Sequence, residues 1–515
     1  FDTMPGDTKR YWMALRRDTL IRNRAITSNA LGFIRDLGQA RDLAQYPAFY
    51  LPHNMDFRGR IYPLPHFNQQ REDHIRATME FAEGKPLGKH GAKWLAIHLA
   101  NVGDFDKISK GTLKEREEWT YRNERDILEV ASDPRENLMW VLADKPFQFL
   151  AACFEWKETR EDPSYPSRLP IALDGSNSGL QHYSAALRAY DDGRLVNLTQ
   201  EDRPQDVYRA VAEQATSLVE ADLRHPDTDD SLRNIAARWL DYGIDRSVVK
   251  RNVMTFAYSS EVFGFKHQLL SDLMQPLADE VLEGKRQEHP FGEDGGFKAS
   301  LYLAKIVWQA VNIVVSQAAR GMKFFQAIAG LLAHEKKEMI WTTPVGFPVV
   351  HKYNDWQTKT VELFLYDRKL PVIEASTKDK VEDEDVFRRV KMNIRTQPEE
   401  TIKKSKQKSA VAPNVIHSMD AAHLLLTVLR AKREGIESFS LIHDSFATHA
   451  ADTERFFRLI REEFVHMYEE HDVFWTIWQQ AYEVLSEEGR DKLPRLPTKG
   501  VLDLQEVIQS DYAFS

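Results

Sequence analysis

Three short stretches of this sequence carry side chains whose types and spacing could do chemistry. The first is LPIALDGSNSGLQH, Leu169 to His182. The run Leu169-Pro170-Ile171-Ala172-Leu173 reads as a short buried strand that Asp174 ends. Gly175, Ser176, Asn177, Ser178 and Gly179 then supply turn chemistry before a helix from Gln181 to Leu187. A carboxylate at the end of a buried strand is costly unless a cation or donors meet it. Asp174 therefore either caps the next helix or holds a metal. The second stretch is DRSVVKRNVMTFAYSSEVFGF, Asp245 to Phe265. On a helix, Arg246, Lys250, Met254 and Tyr258 recur at i+4 and drift by about 40° per step, so they share one face. Two cations, a flexible apolar side chain and an aromatic ring suit a triphosphate at one end and a base or sugar at the other. A solvent-facing stripe with snorkelling cations is the plainer alternative. The third is SFSLIHDSFATHA, Ser438 to Ala450. It reads as two short strands with His443-Asp444-Ser445 between them, a tight hairpin with a carboxylate at its bend. Taken alone, that is also an ordinary turn aspartate.

Other elements frame these. Residues 1–47 read as helical, with Trp12, Leu15, Leu20, Ile26, Leu31 and Ile34 as the buried positions. Up to Arg60 there are ten Lys/Arg against six Asp, led by Arg16, Arg17, Arg22 and Arg24. That excess is either a solvated helix face or a phosphate contact. In LPHNMDFRGRIYPLPHFN, Arg58 and Arg60 lie beside Phe57 and Tyr62. The set suits backbone phosphates and stacked bases, or an arginine pair bonded to Asp56 and local carbonyls. Helices are expected over Lys93–Asn101, Arg135–Trp156, 204–224, which carries Tyr208, 230–243 and 297–336. Trp341 to Val350 reads as strand, turn, strand, and Lys352 to Val372 as a hairpin with Asp367-Arg368 near its tip. Residues 376–408 are charged and weakly patterned. They hold an acidic run, Glu382 to Asp385, and a basic one, Lys403, Lys404, Lys406 and Lys408, read as a solvated loop or a nucleic-acid contact. Pro413-Asn414 reads as the start of a helix carrying His417, Asp420 and His423. Their spacing mimics a metal site but also fits polar contacts at a helix start.

Composition narrows the classes. A chain of 515 residues with 42% hydrophobic and 29% charged residues buries a large core and divides into two to four subdomains. A net charge of -9 disfavours indiscriminate nucleic-acid binding, yet allows a locally basic groove. One cysteine, Cys153 in FLAACFEW, rules out a disulfide framework or a thiolate metal site within the chain, and suggests a reducing compartment. The longest uncharged apolar stretch, Ile306 to Ala319, is broken by Gln309, Asn312 and Gln317 and is too short to span a membrane. The sequence starts at Phe1 without a methionine or a signal peptide, in helix-like sequence, and reads as a fragment of a longer protein.

In order, strand-Asp, Arg-Lys-Tyr helix and His-Asp-Ser hairpin form one pattern. It resembles the single-subunit DNA-dependent RNA polymerases of certain bacteriophages and of mitochondria. DGSNSGLQH resembles their first catalytic motif, RSVVKRNVMTFAYSS their fingers helix and HDSF their second carboxylate motif, while NMDFRGRIY, GFPV and APNVIHSMD resemble further family segments. The likeness runs from the Trp12 region to the carboxyl terminus. It implies an α+β, predominantly helical fold: a cupped right hand around a small antiparallel palm sheet. Residues 1–47 would be a partial thumb, 48–190 the first part of the palm, 191–416 the fingers, and 417–515 the second part of the palm and the tail. The family's amino-terminal promoter-binding domain would be separate or removed.

The resemblance also implies roles. Asp174, Asp444 and the Gly175 carbonyl would hold two Mg²⁺ ions. Arg246 and Lys250 would meet the triphosphate, with Lys250 also protonating the leaving pyrophosphate. Tyr258 would stack at the nascent base pair and, with His417, select ribose; Tyr208 would sit in the same neighbourhood. Arg58 and Arg60 would contact nucleic acid, Arg60 near the growing end, and Arg16 and Arg17 are further candidates. Lys359, Thr360, Glu362 and Arg368 would be promoter-reading candidates on the hairpin near 352–372. Implied partners are a DNA template, an RNA transcript and ribonucleoside triphosphates. The implied location is the cytoplasm of an infected bacterium, with the mitochondrial matrix as alternative. Related DNA polymerases typically have His-Asp-Glu in the hairpin and a glutamate just after the first motif. Here the residues are His443-Asp444-Ser445 and Asp174-Gly175-Ser176, which favours RNA. A silent nucleic-acid-binding protein on the same fold is disfavoured because Asp174, Asp444, Arg246, Lys250 and Tyr258 are all present. One departure is Ser259 after the fingers tyrosine, where the family commonly has glycine.

Overall fold

The computed structural model describes residues 6–367 and 386–515. Among them the strands form four small antiparallel sheets in a mostly helical body. β1 (His53–Met55) pairs with β2 (Ile61–Pro63). β3 (Pro170–Asp174) belongs to the only three-stranded sheet among the described residues. β4 (Met339–Thr342) pairs with β5 (Pro348–His351), and β6 (Asn354–Asp367) with β7 (Val386–Ile402). β8 (Ser440–Ile442) and β9 (Ser445–His449) complete the three-stranded sheet, in the order β3-β9-β8. Ile171 and Leu173 of β3 and Phe446 of β9 are buried, and the sheet packs on the helices Gly91–Gly103 and Ala450–Glu470.

The turn after Asp174 leads into the helix Ser178–Leu187, whose ten residues are all buried. Asn177 caps it, accepting from the Leu180 amide at 3.2 Å. The helix lies against two long ones, Ser316–His334 and Lys404–Arg433. Its small residues, Ser178, Gly179, Ser184, Ala185 and Ala186, permit that close approach.

Five expectations need correction. The helix expected over Arg135–Trp156 starts only at Pro146, because Pro146 sets its first turn, and a short 3-10 turn, Met139–Leu142, precedes it. The first helix, Gly6–Leu43, does not bury the positions expected. Trp12, Leu20, Leu31, Ile26 at 67% and Ile34 at 65% are exposed, and the Leu15 side chain lies outside the described residues. These positions do share one side of the helix at about 100° per residue, but no described element covers that side. The helix instead meets the body through Ala40 and Leu43, which pack on Phe67, Ile75 and Met79, and through an Arg22–Asp279 ion pair of 2.5 Å. The expected hairpin near 352–372 is larger. β6 pairs with β7, inside the stretch read as weakly patterned, in a register that sets Thr360 opposite Asn393 and Glu362 opposite Lys391. Arg368 and Glu382 to Asp385 lie outside the described residues. The helix expected to open at Pro413 begins at Lys404, so Lys404, Lys406 and Lys408 are helical, not loop. Pro413 inside it costs about 3 kcal/mol, which the complete burial of Val411, Val415 and Met419 offsets. The Arg246 helix ends at Phe256, before Tyr258.

No single helix among the described residues is long and apolar enough to cross a membrane. The pair Phe297–Val314 and Ser316–His334, bent by 99°, has the composition for it, but its Leu303, Val307, Phe325 and Ile328 are fully buried in the core.

Candidate active site

Asp174 and Asp444 are 270 residues apart in sequence, and the sheet makes them neighbours. Asp174 ends β3 opposite Ser445 of β9. Asp444 occupies the two-residue bend between β8 and β9, where His443 adopts a left-handed φ of 54°. The Gly175 amide donates to the Asp444 carbonyl at 3.3 Å, which ties the two turns together. Burial, and then the charge of Asp174, push the Asp444 carboxyl above its ordinary range. No ion pair among the described residues engages either carboxylate. Two adjacent carboxylates in that condition fit a divalent cation, whose charge relieves their repulsion.

The carboxyl-terminal residues support this turn from behind, a feature that sequence reasoning missed. The Ser515 amide donates to the Asp174 carbonyl at 3.0 Å. Ser176 Oγ donates to the Tyr512 carbonyl at 2.8 Å, and Gln181 Nε2 to that of Ala513 at 2.7 Å. Arg461, fully buried, holds the same segment by donating to the Ser510 carbonyl at 2.7 Å and the Phe514 carbonyl at 3.0 Å. Arg461 is one of three arginines in a charge-rich helix, so nothing local marked it out or named its acceptors.

Beside Asp174 opens a cavity of about 640 Å³, lined by Gly175, Tyr208, Arg246 and Lys250 among others. Asp245 starts the Arg246 helix by accepting from the Ser247 and Val248 amides. Arg246 Nε donates to Asp206 at 2.6 Å, and its guanidinium lies 4.9 Å from the Tyr208 ring centre. Asp206 in turn caps the Val207–Arg224 helix that carries Tyr208. Asn177 Nδ2 donates to the Tyr208 hydroxyl at 3.2 Å. One chain of contacts thus runs from the Asp174 turn to Arg246. Lys110, Arg116, Arg76 and Lys145 also line the cavity, so an acidic chain carries a basic pocket.

A second group gathers on the Asp444 side. The expected stripe holds for Arg246 and Lys250. Tyr258, past the helix end, instead meets His417 with ring centres 4.8 Å apart. Ser259, next along, takes a left-handed φ of 65°. His417 Nδ1 lies 2.6 Å from Arg58 Nη1, while Arg58 also pairs with Asp56 at 2.6 Å. Burial, with Arg60 and Arg58 beside it, holds the His417 ring down at about 2, so it is neutral. Its Nδ1 therefore accepts from Arg58, and the ring proton sits on Nε2. Burial and the charges of Asp444 and Asp420 push the Tyr258 phenol up, keeping its hydroxyl a donor. Arg60 forms a two-bond ion pair with Asp420. His423 Nε2 bonds the Ile460 carbonyl at 2.8 Å, and no cluster of three or more metal-ligating side chains occurs among the described residues. Arg16 and Arg17 lie on the exposed first helix, away from the cavity lining. On the hairpin, Thr360 Oγ1 donates to Asn393 at 2.8 Å, Glu362 pairs with Lys391 at 3.2 Å, and Lys359 lies opposite Ile394.

Residues 85–492 match the family described as DNA-dependent RNA polymerase. The chain belongs to that family. It is 38% identical over 512 residues to T7 RNA polymerase of Escherichia phage T7, covering 93% of this chain and 55% of the relative. The DNA-directed RNA polymerase of Enterobacteria phage T3 is 37% identical over 511 residues, covering 93% and 54%. DNA-directed RNA polymerase 2, chloroplastic/mitochondrial, of Arabidopsis thaliana is 35% identical over 491 residues, covering 93% and 44%. The chain thus spans about half the length of the phage relatives. Polymerases of this family transfer nucleotidyl groups and are generally metal-dependent, and the matched segment contains both carboxylate turns and the whole Arg246 helix.

Proposed function

We propose that the chain carries out DNA-templated RNA synthesis, adding ribonucleotides to a 3′-hydroxyl and releasing pyrophosphate. The observation that carries this reading is the Asp174–Asp444 pair, on neighbouring turns of one sheet and beside a basic cavity. In this reading the molecule is a right hand: palm over 48–190 and 417–515, fingers over 191–416, part of a thumb over 1–47. Asp174, Asp444 and the Gly175 carbonyl would hold two magnesium ions, which when bound activate the attacking hydroxyl and stabilise the leaving oxygen.

The chain's own residues do the rest. Arg246, fixed on Asp206, and Lys250, one turn on, orient the triphosphate and meet its growing charge. Lys250 Nζ gives a proton to the leaving pyrophosphate oxygen. Tyr208 closes the pocket wall beneath Arg246. The Tyr258 ring stacks on the new base pair. Its hydroxyl and the proton on His417 Nε2 are two donors for a 2′-hydroxyl, and a deoxynucleotide would leave them unpaired. Arg58 keeps His417 in that tautomer. Arg16, Arg17 and Arg60 are the further candidates for nucleic-acid contact, and Lys359, Thr360 and Glu362 for promoter contact. We place the reaction in the cytoplasm of an infected bacterium, with the mitochondrial matrix as alternative.

Primer extension on an RNA–DNA hybrid tests this, with ribonucleotides and deoxynucleotides offered separately. Templated, ribonucleotide-selective extension is expected. Preference for deoxynucleotides would reassign the chain to DNA synthesis, and hybrid binding without extension would leave only a binding protein.

A further inference from the structure

Nucleotidyl transfer joins two polyanions, and each needs its own cationic seat. Arg246 and Lys250 line the large cavity but not the smaller one beside it. Arg76 and Lys145 line it too, and they come from different elements, the helix Asp73–Ala77 and the residue preceding the helix Pro146–Glu161. Arg76 is shared with a smaller adjoining cavity of about 30 Å³, whose wall includes Ala172 of β3 and Ser445 of β9. Those strands carry Asp174 and follow Asp444. His98, buried nearby, reports the same proximity. Burial, then Lys145 and Arg76, push it down to about 3, while Asp174 acts in the opposite sense.

Two like charges this close repel, so something must hold them. Asp73 does so. Its carboxylate accepts from the Phe147 amide at 2.7 Å, the Gln148 amide at 3.2 Å and Gln148 Nε2 at 2.9 Å. That clamps the Arg76 helix against the start of the next one, beside Lys145. Because Asp73 is taken up by these donors, it does not neutralise the pair. Among the described residues, neither Arg76 nor Lys145 makes an ion pair or a side-chain hydrogen bond. Holding two half-buried cations near one another with no ion pair to either is costly, and packing alone gives no reason for it.

We propose that Arg76 and Lys145 seat the phosphodiester backbone of the strand being extended, next to its 3′ end. The assignment rests on the nucleotidyl-transfer reading of Asp174. A guanidinium offers a phosphate two parallel bonds, and an ammonium adds a point charge. The competing occupant is the incoming triphosphate.

The test measures binding of an RNA–DNA hybrid with a recessed RNA 3′ end by anisotropy across a potassium chloride series, alongside the ribonucleotide KM. Arg76→Gln and Lys145→Gln should each weaken hybrid binding about threefold to tenfold and lower the log–log salt slope by about 0.7–0.9. The double variant should lower the slope by about twice that, with KM within about twofold of the parent. Arg76→Lys keeps the charge and should keep the slope, which separates charge from packing. Arg246→Gln should do the opposite, raising KM and sparing the slope. A raised KM with an unchanged slope would assign the pair to the triphosphate and overturn the proposal, as would no change in either. The reading beneath it fails by a different result: Asp174→Asn extending RNA at the parent rate.

Discussion

Replacing Arg60 with glutamine is expected to cost stability more than nucleic-acid affinity. Its guanidinium reaches Asp420 through Nε at 3.0 Å and through a second bond from Nη2. The side chains are 12% and 2% exposed, so solvent screens the pair little. Burial already pushes the Asp420 carboxyl up to about 7 with Arg60 lowering it, and removing the arginine leaves that buried group without its partner, a change that typically costs about 3–5 kcal/mol. At about 2.1 cal/mol/K per residue, unfolding 515 residues carries about 1.1 kcal/mol/K of entropy. The thermal midpoint should therefore fall by about 3–5 °C. Adding Asp420→Asn removes the stranded charge and should recover most of that loss, so the two substitutions are strongly non-additive. Scanning calorimetry of the parent, both single variants and the double variant at neutral pH completes the cycle. Additive losses, or an Arg60→Gln midpoint within about 1 °C of the parent, would refute the argument. A large fall in hybrid affinity at an unchanged midpoint would return Arg60 to the nucleic-acid contact implied by the resemblance.

Asp174→Asn and Asp444→Asn should each nearly abolish extension while sparing hybrid binding; a variant with near-parent rates would sink the two-carboxylate assignment. Because the Asp444 pKa is raised in the fold, its ionised form is destabilising. That penalty is absent below the unfolded carboxylate pKa of about 4, grows as pH rises, and is complete above the folded value. Asp444→Asn should thus raise the thermal midpoint at pH 7.5 but not near pH 4, and magnesium should stabilise the parent more than the variant; a lower midpoint at pH 7.5 contradicts this. Tyr258→Phe keeps the ring and should lower discrimination against deoxynucleotides more than ribonucleotide turnover, as read from the ratio of the two kcat/KM values; an unchanged ratio excludes the hydroxyl. Ser259→Gly relieves a left-handed backbone worth about 1–2 kcal/mol and returns about 0.5–1 kcal/mol to unfolded-chain entropy. Its urea midpoint should rise at unchanged slope, and a fall would show that the serine side chain supports the turn.

Much of the site was legible because it is local. Asp174 at a strand end and Asp444 in a hairpin are set by short apolar runs and turn residues, and Arg246 and Lys250 by one helical turn. Partners distant in sequence were not legible. Arg60 finds Asp420, Arg58 finds His417 and Arg461 finds the last residues, and no spacing encodes those meetings. β7 escaped notice because both faces of a two-stranded ribbon meet solvent, so its sequence lacks a buried alternation. Pro413 misled for the opposite reason: burial overrode the local preference that usually ends or starts a helix. Tyr258 slipped off the predicted stripe because Ser259 adopts a backbone angle that a serine rarely signals.

The pairing of β3 with β9 also bears on how the chain comes to life during synthesis. β3 leaves the ribosome about 270 residues before its partner strand, and closing a loop that long costs about 5 kcal/mol of chain entropy. An unfinished chain can already hold Arg246, Lys250, Arg76 and Lys145, and with them an attraction for polyanions. It lacks the second carboxylate and the terminal residues that brace the first. We expect such a chain to grip nucleic acid without joining anything to it. On the proposed reading, catalytic competence would come only once β9 has been made, and a chain released before then is expected to be inert rather than error-prone.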